Sequence, residues 1–143
     1  MKKQVAILGL TLAIGATALV STPSDASART IPQSMRGTWY SYDKGLKEYS
    51  VLKISAQSLK TSPAWEQSFG MTWYNYNLSV SAKSKTGWVR GIPRGNDDPF
   101  YLRHSTYRPA GYSVKLKTLQ FKHGGLYQRY TKKKVRIQMQ KWV

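Results

Sequence analysis

The sequence predicts a small all-β domain, a single antiparallel barrel or sandwich of about eight strands, on three observations. Apolar and polar residues alternate with a period of two over several stretches, and no long stretch has helical periodicity. Short turns rich in glycine separate those stretches. The chain also contains ten tyrosines and five tryptophans, which are favoured on half-buried pleated surfaces.

The strands are predicted from this alternation. It is clearest over 71–83, where every second residue from Tyr74 to Ala82 is apolar or aromatic and the residues between them are Asn or Ser. The apolar residues lie at even-numbered positions from Tyr112 to Leu116 and at odd-numbered positions from Leu119 to Phe121. This change after Thr118 predicts a bulge or bend there. The predicted strands span residues 36–43, 48–58, 71–83, 86–92, 99–107, 111–118, 119–123, 126–132 and 134–142.

Turn residues mark the connections between these strands. His123-Gly124-Gly125 supplies two glycines able to adopt positive φ, which predicts a hairpin before Leu126. The segment 91–99 is dense in Gly, Pro, Asn and Asp and is predicted to be a loop. Pro63 and its neighbours interrupt the strand pattern, so we expect a helical turn or a lid over 62–70.

The N-terminal residues have the layout of a secretory signal peptide. Lys2 and Lys3 form a positive region, an apolar run follows over 5–20, and Ala26-Ser27-Ala28 is an A-x-A cleavage site. The run is shorter than the roughly 20 residues that span a bilayer. We therefore expect cleavage after Ala28, a single mature all-β domain over 29–143, and a secreted or extracellular protein with no transmembrane segment.

The charge of the chain is strongly positive. It contains 23 basic and six acidic side chains. Since Lys2, Lys3 and Asp25 belong to the predicted signal peptide, residues 29–143 hold 21 of the basic and five of the acidic ones. Repulsion among so many positive charges destabilises a compact state. The chain has no cysteine, so no disulfide bond can stabilise that state. The excess predicts polyanionic partners, such as anionic cell-wall polymers, acidic lipid or nucleic acid.

Basic and aromatic residues interleave in the second half of the chain. Such interleaving combines phosphate contact with ring stacking, and it suits sugar rings equally well. The predicted polyanion-binding residues are Arg103, Arg108, Lys115, Lys117, Arg129, Lys132, Lys133, Lys134 and Arg136.

Residues that would support catalysis are scarce. Asp97-Asp98 before Pro99 is typical of a turn, and His104 and His123 have no acidic or cysteine neighbours of the kind that a zinc site needs. No nucleophile elbow, phosphate-binding loop or zinc-protease motif occurs. We therefore expect that the protein is not an enzyme and that it has no catalytic, cofactor-binding or metal-binding residues.

The segment from Ile31 to Tyr40, with its R-G-T-W-Y sequence, resembles the opening of a group of small secreted Lys- and Tyr-rich extracellular proteins of lactic-acid bacteria. That resemblance implies an extracellular location and little about mechanism.

Gly37-Thr38-Trp39-Tyr40 also resembles the G-x-W-[YF] signature of the first lipocalin strand. It implies a lipocalin-like barrel in which Trp39 is a structural plug at the closed end, beneath a basic residue. Arg129 and Arg136 are the candidates for that residue, through a cation–π contact.

Three functions are consistent with these features. The first is a non-enzymatic cationic protein that associates electrostatically with anionic cell-envelope polymers. The alternatives are a lipocalin-like binder of a small apolar ligand and an extracellular nucleic-acid binder. We expect replacement of Lys132, Lys133, Lys134 and Arg136 by Gln to weaken nucleic-acid binding as much as replacement of four basic residues elsewhere, such as Lys53, Lys60, Lys83 and Lys85. Equal losses would mean that only total charge matters.

Overall fold

The structure, a computed structural model, describes residues 29–67, 70 and 72–139. The predicted signal peptide and its cleavage point after Ala28 lie outside the described residues. No helix among the described residues is long and apolar enough to cross a membrane.

In the described residues, eight antiparallel strands form one sheet, which confirms the all-β prediction. Each strand pairs with the next in the chain, so the sheet order is the sequence order. A 3-10 turn over Gln33–Met35 precedes the first strand, and one short helix lies between the third and fourth. The elements are β1 (Gly37–Asp43), β2 (Glu48–Ile54), β3 (Ser58–Ser62), α1 (Ala64–Gln67), β4 (Tyr74–Val80), β5 (Val89–Pro93), β6 (Phe100–Tyr107), β7 (Leu116–His123) and β8 (Leu126–Tyr130).

The sheet curls until its two edges touch, but it is not closed into a barrel. Tyr40 in β1 and Thr131, the residue after β8, form an isolated antiparallel bridge. Their backbone N–H groups each donate to the other's carbonyl oxygen at 2.8 Å. One further bridge, parallel, joins Tyr42 to Gln138. These bridges join the edges at single points instead of along a continuous ladder.

The inner face of the curled sheet carries one hydrophobic core to which all eight strands contribute. Alternate residues of each strand face inward, as the period of two predicts. The Phe100 ring stacks on His123 at 3.8 Å between centroids and contacts Tyr76 at 4.8 Å. The buried core side chains are Ile31, Met35, Trp39, Leu52, Ile54, Leu59, Leu78, Val89, Phe100, Leu102, Leu119, Phe121 and Tyr130.

The predicted β7–β8 hairpin is confirmed. His123 pairs with Leu126, so the loop has two residues. Gly124 and Gly125 adopt φ angles of 51° and 77°, the positive values that this class of turn requires at both positions. The helical turn expected over 62–70 corresponds to α1.

Four strand predictions were wrong. The predicted strand 48–58 is two strands, β2 and β3, joined by a turn that contains neither Gly nor Pro. The predicted strands 111–118 and 119–123 are replaced by β7, which pairs with β6 in one unbroken register without a bulge. Tyr112 and Val114, which produced the false alternation, are 51% and 64% exposed. Within the described part of the predicted strand 134–142, only the bridge at Gln138 has strand character.

Candidate functional site: a cationic and aromatic face

Two neighbouring rows of side chains cross strands β5 to β8 on the outer face of the sheet. In the first row, Arg90 pairs with Tyr101, Tyr101 with Lys122, and Lys122 with Tyr127. Cations and tyrosines therefore alternate over four strands. They face outward because Val89, Phe100, Leu102 and Phe121, their neighbours along the strands, are buried in the core.

The second row lies two residues further along each strand. Arg103 pairs with Gln120, and Gln120 pairs with Arg129. The Arg103 Nε–H donates to Gln120 Oε1 at 2.9 Å. We call the outward side chains of both rows, together with Trp88 and Tyr107 beside them, the cationic face.

Three of the four cations of this face, Lys122, Arg103 and Arg129, lie over aromatic rings. Lys122 Nζ is 5.6 Å from the centroid of the Tyr101 ring and 5.0 Å from that of Tyr127. The Arg103 guanidinium lies 4.5 Å from the Trp88 centroid. A ring attracts a cation through its quadrupole and does not neutralise it as a carboxylate would. These side chains are thus held in place while their charge remains available to an anion.

Arg129 completes the second row. Its guanidinium lies 4.7 Å from the centroid of the Tyr107 ring. Burial lowers the pKa of Arg129, and the coulombic effect of Tyr107 partly opposes this. An arginine nevertheless keeps its charge in proteins at neutral pH, so the row has a cation at each side of Gln120.

A shallow groove of about 510 Å³ borders the cationic face. It is lined by Trp88, Tyr101 and Lys122, together with Ser84 and Thr86 from the connection before β5. The Trp88 and Tyr101 rings meet edge to face, with centroids 6.4 Å apart. The groove therefore offers an aromatic surface, two hydroxyls and an ammonium group, a set suited to a polymer that carries both sugar rings and phosphates.

The structure brings together only part of the predicted polyanion site. Arg103 and Arg129 lie on the cationic face. Lys117, near the start of β7, is two residues before the buried Leu119 and so belongs to the opposite, inner face of the sheet. Arg108 and Lys115 are exposed in the connection between β6 and β7. Lys132, Lys133, Lys134 and Arg136 follow β8.

Lys134 belongs to a second, smaller group of aromatic residues on the outer face. Its Nζ lies 5.3 Å from the centroid of Tyr40 and 5.4 Å from that of Tyr49. The Tyr49 and Tyr42 rings are 5.1 Å apart. This group lies where Thr131 bridges to Tyr40, so it extends the outer surface beyond β8 onto β1 and β2.

Lys132 has a structural contact that the sequence did not predict for it. Its Nζ lies 4.3 Å from the centroid of the buried Trp39 ring and donates to the carbonyl of Arg36. Lys132 thus takes the place expected for Arg129 or Arg136. Gly37 has a φ of 102°, and a Cβ there would lie 2.7 Å from Lys132 Nζ, so a glycine at this position leaves room for the ammonium group.

His104 lies at the same end of the core as Trp39. The two ring centroids are 5.9 Å apart, and His104 Nε2 lies 3.1 Å from the Ser34 hydroxyl. Burial, followed by the charges of Lys83 and Lys132, lowers the pKa of His104. The neutral imidazole is therefore the favoured form in the folded protein.

This shift predicts a pH dependence of stability. Because the pKa of His104 is lower in the folded than in the unfolded chain, the unfolded chain binds the proton more readily. The free energy of unfolding should fall as the pH drops below about 6.5, the ordinary histidine value. In urea titrations between about pH 7.5 and 5, His104→Gln should lose less stability than the unaltered protein. Identical pH slopes would contradict the shift.

Arg90, Lys122 and Gln120 were missed by sequence reasoning. Arg90 and Lys122 are far apart in the sequence, and no local sequence pattern connects them. Their shared row depends on the pairing of β5 with β6 and of β6 with β7. The sequence does predict that Lys122 faces outward, because Phe121 beside it is predicted to face the core and successive strand residues face opposite sides of a sheet.

The acidic and histidine residues form no metal site in the described part of the chain. Asp98 Oδ2 lies 3.6 Å from His123 Nδ1 as an ion pair that requires a protonated imidazole. The Asp98 N–H donates to Asn96 Oδ1 at 3.0 Å, a local bond typical of a turn.

Comparisons of the chain with known protein families, with curated proteins and with solved structures give no match. Its function therefore has to be inferred from its own sequence and geometry.

Proposed function

We propose that this protein is exported and held reversibly on anionic polymers of the cell envelope through its cationic face, without catalysing a reaction. The observation that carries the proposal is the arrangement of Arg90, Lys122, Arg103 and Arg129 in two adjacent outward rows. The signal-peptide layout of residues 1–28 supports the location.

The spacing of the rows suits a polymer with repeated negative charges. Neighbouring strands lie about 4.7–4.9 Å apart, so cations two strands apart are separated by about 10 Å. Arg90 and Lys122 have this relation in the first row, and Arg103 and Arg129 have it in the second. A flexible polyphosphate-like chain lying across the strands would therefore meet a cation at regular intervals.

Attachment of this kind should be reversible by salt. Each polymer phosphate that a Lys or Arg neutralises releases counterions, so affinity falls steeply with salt concentration. Exposed charges are screened beyond about 8 Å at physiological ionic strength. We expect intact producing cells to release the protein when washed with salt of about 1 M, as measured by immunoblotting of the wash and of the cells.

Two outcomes of that wash would contradict the proposal. Protein that stays with the cells at high salt must be attached by something other than electrostatics. Protein found only in the culture medium at low salt is not retained at all. A cytoplasmic protein followed on the same blots controls for lysis.

A second candidate function is binding of extracellular single-stranded nucleic acid, which the groove beside Trp88 and Tyr101 favours. Bases stack on aromatic rings while nearby cations contact the backbone. The two functions differ in the role of the rings. If the protein binds nucleic acid, Tyr101→Ala should weaken binding of single-stranded DNA more than binding of inorganic polyphosphate, which has no bases to stack.

A further inference from the structure

A separate cavity lies on the inner side of the sheet, beyond Trp39 along β1. Its volume is about 210 Å³, and its walls come from β1, β2, β3, β8, α1 and the segment at Gln138 and Met139. A single water needs only about 10–15 Å³, whereas sites for drug-sized ligands measure about 300–1,000 Å³. The cavity therefore suits a small ligand of about monosaccharide size.

Hydroxyl groups line the inner wall of this cavity. Ser41 pairs with Ser50 across β1 and β2, and the two side chains are buried. The Ala64 N–H donates to Ser50 Oγ at 2.9 Å, and the buried Tyr130 hydroxyl donates to Gln128 Oε1 at 3.0 Å. A hydroxyl has one donor and two acceptor positions. Ser50 therefore keeps its donor and one acceptor position toward a ligand. Tyr130 is also hydrogen-bonded to the Thr61 side chain, so it keeps one acceptor position.

Two further polar groups stand among the lining residues, and loop contacts fix both. The Lys44 N–H donates to Gln138 Oε1 at 2.6 Å, which leaves the amide N–H groups of Gln138 as donors. The Leu46 N–H donates to Asp43 Oδ1 at 3.0 Å, which leaves Oδ2 of Asp43 as an acceptor.

The charge of the cavity is the reverse of the charge of the molecule. The chain has 23 basic side chains, yet none of the described residues lining the cavity is Lys, Arg or His. Asp43 is the charged residue among them. An anion would find no cation to pair with among the described lining residues, although the cavity shares Tyr127 with the cationic face.

Apolar side chains are also exposed at this cavity. Trp65, on α1, is 62% exposed, and Leu126, at the start of β8, is 43% exposed. Both contribute to its lining. An exposed tryptophan beside a hydroxyl-lined cavity is the arrangement in which the C–H face of a sugar ring packs on the indole while its hydroxyls bond to the wall.

We propose that this cavity binds a neutral polyhydroxylated ring of monosaccharide size. Trp65 stacks on the ring, and Ser50, Gln128 and Tyr130 bond its hydroxyl groups. The site takes a ligand of a different chemical class from that of the cationic face.

Calorimetric titration with glucose, galactose, mannose and myo-inositol tests the proposal. We expect saturable binding of at least one of them with a Kd of about 1 mM or tighter. Because a neutral ligand releases no counterions, that Kd should stay constant between low and high salt, and added polyphosphate should not compete.

Matched tryptophan variants locate the site. Trp65→Ala should weaken binding of the sugar by about tenfold, whereas Trp88→Ala, which alters the groove beside the cationic face, should leave it unchanged. Equal effects of the two variants would overturn the assignment to this cavity. Absence of saturable binding by any of the four compounds, or binding of choline in their place, would overturn the ligand class. Loss of polyphosphate binding in Trp88→Ala would bear only on the cationic face.

Discussion

Replacement of Trp39 by alanine is expected to lower the free energy of unfolding by about 3–5 kcal/mol, the range found when large aromatic side chains are removed from cores. The side chain is 3% exposed, and its Nε1–H donates to the Met35 carbonyl at 2.8 Å. Its removal leaves a cavity, an acceptor without its donor and Lys132 without the ring beneath it. Urea unfolding followed by far-UV circular dichroism measures the loss.

Two further variants keep this prediction testable if Trp39→Ala does not fold. Trp39→Phe retains most of the buried ring and should cost less than the alanine variant while abolishing the bond to Met35. Trp65→Ala removes an exposed tryptophan and should change stability by no more than about 0.5 kcal/mol. If Trp39→Ala costs no more than Trp65→Ala, Trp39 is not part of the core.

The second large effect concerns polyanion binding by the cationic face. Combined replacement of Arg90, Arg103 and Lys122 by Gln should weaken binding of long-chain polyphosphate by about ten- to a hundredfold at low salt, if each lost contact contributes about 0.5–1 kcal/mol. The slope of log affinity against log salt should become shallower by about 2–3, because fewer phosphates are neutralised. Fluorescence titration at several salt concentrations gives both quantities.

The control for this variant removes the same charge from another surface. Lys44, Lys47 and Lys60 are exposed on the β1–β2 turn and on β3, and their combined replacement by Gln should weaken binding by about threefold or less. Equal losses from the two triple variants would mean that total charge alone controls affinity. Equal losses are what the sequence predicts for Lys132, Lys133, Lys134 and Arg136. The paired rows on β5 to β8 are the reason for a different expectation here.

Arg103→Gln retains an amide that can bond to Gln120, so the triple variant should stay folded. An unaltered urea midpoint would show that the loss of affinity comes from the lost cations. Within the cationic face, Lys122 should contribute most to the loss, because it also lines the groove together with Trp88 and Tyr101.

The sequence by itself determined the class of fold and the sign of the net charge. Alternation with a period of two is a local property of each strand, so five of the eight strands were predicted to within a few residues of their observed bounds. The Gly124-Gly125 turn is equally local, since only the two glycines and their φ angles define it. The positive charge follows from composition alone.

Local sequence signals did not predict the strand boundaries where the chain turns without Gly or Pro. The β2–β3 turn is stabilised by the Ser55 N–H donating to the Ser58 carbonyl at 2.9 Å, and nothing in its sequence marks it as a turn. Tyr112 and Val114 alternate with polar residues as strand residues do. They nevertheless lie outside the sheet, in the connection that precedes β7 at Leu116.

The tertiary structure alone decided which residues share a site. The row from Arg90 to Tyr127 exists because three separate strand pairings have the registers that they do, and a shift of one residue in any of them would turn those side chains to the other face. Lys132 meets Trp39 for a related reason: the curled sheet brings the residue after β8 beside β1. Register and curvature come from the packing of the whole inner face, which no stretch of sequence contains.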